Sequence, residues 1–148
     1  MEKRQLTPEF REFLGCLNHA NVEYLLVGGF AVNYHGYHRF TEDIDFWIAV
    51  SDQNFTRLLA AIREFFGEDI MGLDKNFLNQ NESLYLGRVP NKIEVFQKAS
   101  GLEFSQAYPR RIETVIEGLP VKIIALEDLK MNKRASGRHK DLADLDHL

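Results

Sequence analysis

Tyr24 to Ile48 reads YLLVGGFAVNYHGYHRFTEDIDFWI, and the two apolar runs in and around it decide the fold. The first, Val22 to Val27, is short and β-prone and stops at Gly28-Gly29, the pattern of a buried strand running into a glycine turn. The second, Asp43 to Val50, predicts another strand. Side chains alternate along a strand, so Asp43, Asp45 and Trp47 share one face while Ile44, Phe46 and Ile48 share the other. Between the runs, Phe30 to His35 predicts the start of a short helix that Gly36 interrupts. Two carboxylates at the entry of an otherwise apolar strand need a reason.

Outward from this centre, Thr7-Pro8-Glu9 predicts a helix start, with Thr7 as N-cap, followed by Phe10, Phe13, Leu14 and Leu17 on one face. Ser51 or Asp52 caps a helix through Phe66, with Phe55, Leu58, Leu59, Ile62 and Phe66 on its inner stripe. The polar, glycine-broken stretch from Gly67 to Asn81 reads as loop or weak helix. Two hairpins follow: Ser83 to Val89 with Lys92 to Gln97, joined by Pro90-Asn91, and Glu113 to Glu117 with Val121 to Ile124, joined by Gly118-Leu119-Pro120. Two helical pieces, Leu126 to Ala135 and Lys140 to Leu148, are separated by Ser136-Gly137. This order predicts a mixed α/β (α+β) domain, a small mixed sheet flanked by helices, spanning residues 1–148 as one unit.

Composition narrows the function classes. With 18 basic and 22 acidic residues the net charge is −4, which argues against a general nucleic-acid binder and leaves a local basic patch open. Cys16 is the sole cysteine, so neither an internal disulfide nor a cysteine zinc cage can form, and its apolar neighbours predict a buried thiol. No stretch approaches the roughly 20 apolar residues of a membrane span, and no secretory signal is evident, so the expected compartment is the cytoplasm, with no membrane partner.

The chemistry concentrates in three features. Gly28-Gly29 lets the backbone approach a ligand without a Cβ in the way, though strand-to-helix glycine turns are as often purely structural. Asp43 and Asp45 project from one face about 7 Å apart, and their mutual repulsion suits a hard divalent cation such as Mg²⁺ or Mn²⁺. Glu94, between Ile93 and Val95, is either a third carboxylate beside that pair or a charge on a solvated strand face. Arg39 and Thr41, just before the aspartates, either contact phosphate or are ordinary loop residues. His35 and His38 lack a third ligand and read as loop histidines, and Phe30, Tyr34 and Tyr37 read as core rather than as a base pocket.

Taken together, "VGG-A" from Val27, "R-T-DID" from Arg39 to Asp45, a later acidic strand residue, and the tail IALEDLKMNKRASGRHKDLADLDHL from Ile124 to Leu148 resemble the polymerase-β-like nucleotidyltransferases, in particular their minimal AbiEii-like, toxin-type members. The resemblance spans most of the chain. It implies a nucleotidyltransferase fold, with Asp43, Asp45 and Glu94 as catalytic residues and ligands of Mg²⁺ or Mn²⁺. Gly28, Gly29, Arg39, Thr41 and Lys133 are implied to bind a nucleoside triphosphate. The implied reaction transfers a nucleoside monophosphate to a hydroxyl on protein, RNA or a small molecule. Two departures stand out: Glu94 occupies a position where Asp is usual, and Phe30 one where Ser or Thr is common. They support an alternative, a fold relative that binds nucleotide, or a partner protein of a toxin–antitoxin pair, without catalysing transfer. Asp141 is expected to cap the last helix.

Overall fold

The computed structural model describes residues 6–36, 43–88 and 91–148. Thr7 accepts the Phe10 amide at 3.2 Å and opens α1 (Pro8–His19), whose Phe10, Phe13, Leu14 and Leu17 are buried. Ser51 caps α3 (Asp52–Phe66) by accepting the Asn54 amide at 3.0 Å, and Gly67 ends it in the left-handed conformation. Its inner stripe is Phe55, Leu58, Ala61 and Ile62, and Phe65 sets its ring edge-on to Phe13 at 5.2 Å. Phe66, expected inside, is exposed: the stripe continues from Ile62 by three residues to Phe65 rather than by four.

The strands are β1 (Tyr24–Val27), β2 (Asp43–Ile48), β3 (Ser83–Arg88), β4 (Asn91–Phe96), β5 (Ile112–Ile116) and β6 (Leu119–Ile123). They form one six-stranded sheet in the order β3-β4-β2-β1-β6-β5. β2 runs antiparallel to β1 and parallel to β4, and β1 runs parallel to β6, so the sheet is mixed, as expected. Strand alternation sorts the two faces. Phe46 packs on Phe13 of α1 at 5.6 Å, whereas Trp47 meets Phe104 of α5 (Phe104–Ala107) at 5.2 Å on the opposite side. Asp43 and Asp45 share the Trp47 face.

Both hairpin turns sit one residue earlier than the glycine and proline signals predict. Glu117 (φ 50°) and Gly118 (φ 83°) alone join β5 to β6, two left-handed residues of the kind a tight hairpin needs, so Leu119 and Pro120 belong to the strand. In the other hairpin Arg88 pairs with Asn91, which places Tyr85 opposite Glu94. The Gly67–Asn81 stretch contains a short helix, α4 (Lys75–Gln80), capped by Asp74. A 3-10 helix (Tyr108–Arg110) follows α5, and Arg110 ties it to the first turn of α6 (Leu126–Ser136) through a bidentate pair with Asp128 at 2.9 and 3.0 Å. α7 (His139–Leu145) closes the described chain. No described helix is long and apolar enough to cross a membrane.

Candidate active site

The acidic centre is built by the ladder. Asp45 lies opposite Glu94 in the parallel β2–β4 pair and opposite Val27 in the antiparallel β1–β2 pair. Neighbours in register project from the same face, so Asp43, Asp45 and Glu94, from two separate strands, share one surface next to the end of β1. All three are half-buried.

There the chain turns at Gly28, which adopts φ 66° and starts α2 (Gly28–Tyr34) at once, two residues before the expected helix start. A Cβ on Gly28 would come within 2.9 Å of the Asp45 Cγ and closer still to its Oδ2. The glycine therefore does two things: it supplies a left-handed turn and it makes room for the carboxylate. Gly29 is buried behind it, and Phe30 is core, its ring edge-on to Phe10 at 5.8 Å. His35 Nε2 bonds to the Ile124 carbonyl at 2.8 Å, which requires the proton on that nitrogen and gives this histidine a structural task.

Electrostatics mark the centre. Burial, then the charges of Glu94 and Asp43, push the Asp45 carboxyl up from 3.8 to about 6, against the pull of Lys140 and Lys133. Burial and Asp43 also raise Glu94, against the pull of the Arg138 charge. Asp45 thus changes charge close to neutral pH. Such tuning by desolvation and like charge clusters at functional sites.

The facing cations come from α6 and α7. Lys133 is buried, its Nζ 3.2 Å from both Asp141 Oδ1 and Asp144 Oδ2. Two of its three N–H groups are thereby engaged, so it acts on Asp45 as a fixed charge rather than as a reaching arm. Asp141 does not cap α7: it sits in the first turn and accepts from Lys133, from Ser136 Oγ at 2.7 Å and from Arg138 Nε at 2.7 Å. Burial alone would raise its carboxyl, but these donors hold it well below the usual range. Replacing Lys133 by Met would leave two buried carboxylates short of their shared cation, and urea denaturation should show a loss of about 3 kcal/mol. An unchanged midpoint would mean that water already solvates the pair.

Sequence reasoning did not single out Tyr85, and it gave Arg138 and Lys140 no part in the acidic centre. Only the ladder register brings Tyr85 to Glu94, and only tertiary packing brings the α7 cations to the carboxylates. Arg39, Thr41, Tyr37 and His38 lie outside the described residues. A cavity of about 1000 Å³, lined by Trp47, Gln97, Phe104 and Tyr108 among others, contains none of the three carboxylates.

Among the described residues, no group of three or more His, Cys, Asp or Glu side chains is placed to hold a metal ion by itself. The donor chemistry nevertheless fits Mg²⁺ or Mn²⁺: these ions take one or two carboxylates and complete their shell from substrate phosphate and water, and the mutually repelling oxygens here are of that kind.

Residues 5–147 match a family described as "Nucleotidyltransferase of unknown function (DUF6036)". A search of curated proteins gives no match. Among solved structures, the solution structure of the antibiotic-resistance factor ANT(2'')-Ia superimposes with a TM-score of 0.58 at 17% identity, covering 93% of this chain and 79% of that one. At that identity the likeness shows the nucleotidyltransferase fold alone.

Proposed function

The chain belongs to the DUF6036 family of nucleotidyltransferases, and from that premise we propose that it transfers a nucleoside monophosphate from a nucleoside triphosphate to an acceptor hydroxyl. The observation that carries this reading is the in-register placement of Glu94 beside Asp45, against a glycine corner that a side chain would fill. Asp43 and Asp45, with Glu94, would hold Mg²⁺ or Mn²⁺. A bound cation supplies charge neutralisation on the triphosphate and on the departing oxygen.

The chain's own residues have the remaining tasks. Gly28 and Gly29 admit the triphosphate close to the backbone, Arg39 and Thr41 contact its phosphates, and Lys133 offsets its charge from a fixed position. Glu94 takes the proton of the acceptor hydroxyl, which attacks the α-phosphorus as pyrophosphate departs. The acceptor is a hydroxyl on protein, RNA or a small molecule, in a cytoplasmic setting. We assign these roles to a single domain over residues 1–148.

A second reading draws on Phe30, whose buried ring offers no hydroxyl to phosphate, and on the longer Glu94. In that reading the chain is an AbiEii-like relative that binds nucleotide, or a partner protein of a toxin–antitoxin pair, without transfer. Thermal shift with ATP, GTP, CTP and UTP, with and without Mg²⁺, tests binding, and release of pyrophosphate separates the two readings. Stabilisation is expected to need both triphosphate and Mg²⁺, and to fade as the pH falls through about 6, where Asp45 takes up its proton. Stabilisation that survives chelation, or none with any triphosphate, would count against the metal-dependent site.

A further inference from the structure

Tyr85 stands opposite Glu94 in the β3–β4 ladder, on the edge strand of the sheet, and is 70% exposed. As cross-strand neighbours the two side chains stand on the same face of the sheet, with Asp45 flanking Glu94 on the other side, and the Glu94 charge acts on the Tyr85 phenol. Packing does not explain this position, because most of the ring is in water. Hydrogen-bond satisfaction does not explain it either, because an exposed hydroxyl has water as an equal partner. What the register does achieve is to set a nucleophilic side chain beside the carboxylate that adjoins Asp45. An acceptor hydroxyl must take that place to lose its proton and attack.

We propose that this chain modifies itself, transferring a nucleoside monophosphate from a nucleoside triphosphate to the Tyr85 hydroxyl; the proposal rests on the transferase reading above. In the step, Tyr85 Oη forms a bond to the α-phosphorus and the bond from that phosphorus to the β-bridging oxygen breaks. The phenolic proton passes to Glu94, and pyrophosphate leaves with the bond electrons. Atoms and charge balance without any further reactant. The product is a phosphodiester whose negative charge lies beside Glu94, Asp45 and Asp43. Like charges at that separation disfavour a second triphosphate, so the modification limits itself to one group per chain and suppresses transfer to other acceptors.

Mass spectrometry of the intact chain after incubation with Mg²⁺ and each of ATP, GTP, CTP and UTP reads this directly. One nucleoside monophosphate per chain is expected, carried by the tryptic peptide from Asn76 to Arg88, and absent from Tyr85→Phe and from Asp45→Asn. Thermal shift and pyrophosphate release are followed on the same samples. Triphosphate binding or pyrophosphate release by a chain that stays unmodified, or an adduct on a residue other than Tyr85, overturns Tyr85 as the acceptor and leaves the transferase reading standing. A chain that neither binds triphosphate, releases pyrophosphate nor gains mass overturns both.

Discussion

Replacing Asp45 by asparagine is expected to abolish nucleotidyl transfer and, at the same time, to raise the melting temperature at neutral pH. The variant keeps the shape and removes a charge. Loss of a carboxylate that would hold the cation against the reacting triphosphate lowers turnover by a factor on the order of 10² to 10³ or more. The stability gain has a sign that can be worked through. In the folded protein Asp45 keeps its proton up to about pH 6, whereas the unfolded chain releases it near 3.8. The folded state therefore binds more protons across that interval, and Asp45 costs the wild type stability as pH rises through it. Asparagine carries no such penalty. The advantage of the variant should be small at pH 4 and grow to about 1–3 kcal/mol by pH 7. Equal activity of the two proteins would rule Asp45 out of the reaction, and a variant less stable than wild type at pH 7 would mean that the carboxylate is held by an attraction greater than the repulsion described above.

Gly28→Ala is expected to be as damaging, by a different route. An alanine at φ 66° costs roughly 1–2 kcal/mol for the left-handed backbone. Its methyl group would in addition occupy the space of the Asp45 carboxyl group, so either the carboxylate moves or the turn opens. A loss of about 3 kcal/mol or more, with activity reduced alongside, is expected from chemical denaturation and pyrophosphate release. Gly67→Ala provides the comparison. It has a similar φ of 80° at the end of α3, and a Cβ there meets nothing within 4 Å, so it reports backbone strain alone. If the two alanine variants lose equal stability, the proposed collision at Gly28 is not a real constraint.

The parts of this fold that were legible in the sequence are those specified locally. Thr7-Pro8 and Ser51 cap helices because their side chains reach the orphan amides three residues on, and Gly137 separates α6 from α7 in a left-handed conformation that other residues resist. The apolar runs from Tyr24 and from Asp43 form paired central strands because nothing but a buried sheet accommodates them. Register was less accessible. A turn at Pro90-Asn91 would have set Gly87 against Glu94, whereas pairing of Arg88 with Asn91 sets Tyr85 there, a shift that the hydrophobic pattern cannot detect because it keeps every side chain on its own face. The convergence of Lys133, Arg138 and Lys140 on the carboxylates was out of reach for another reason. It depends on how α6 and α7 fold back over the sheet, and no local spacing encodes that return.

The pairing of Asp45 with both Val27 and Glu94 has a consequence for motion. Strands hydrogen-bonded on both sides have no soft direction, so the spacing of the carboxylates is as stiff as the ladder itself and fluctuates only when the sheet opens as a whole. Any breathing that lets a substrate in or a product out therefore belongs to the periphery: the edge strand carrying Tyr85, or the terminal helix clasped through Asp141 and Asp144. The acids form an anvil, and what moves must move against it.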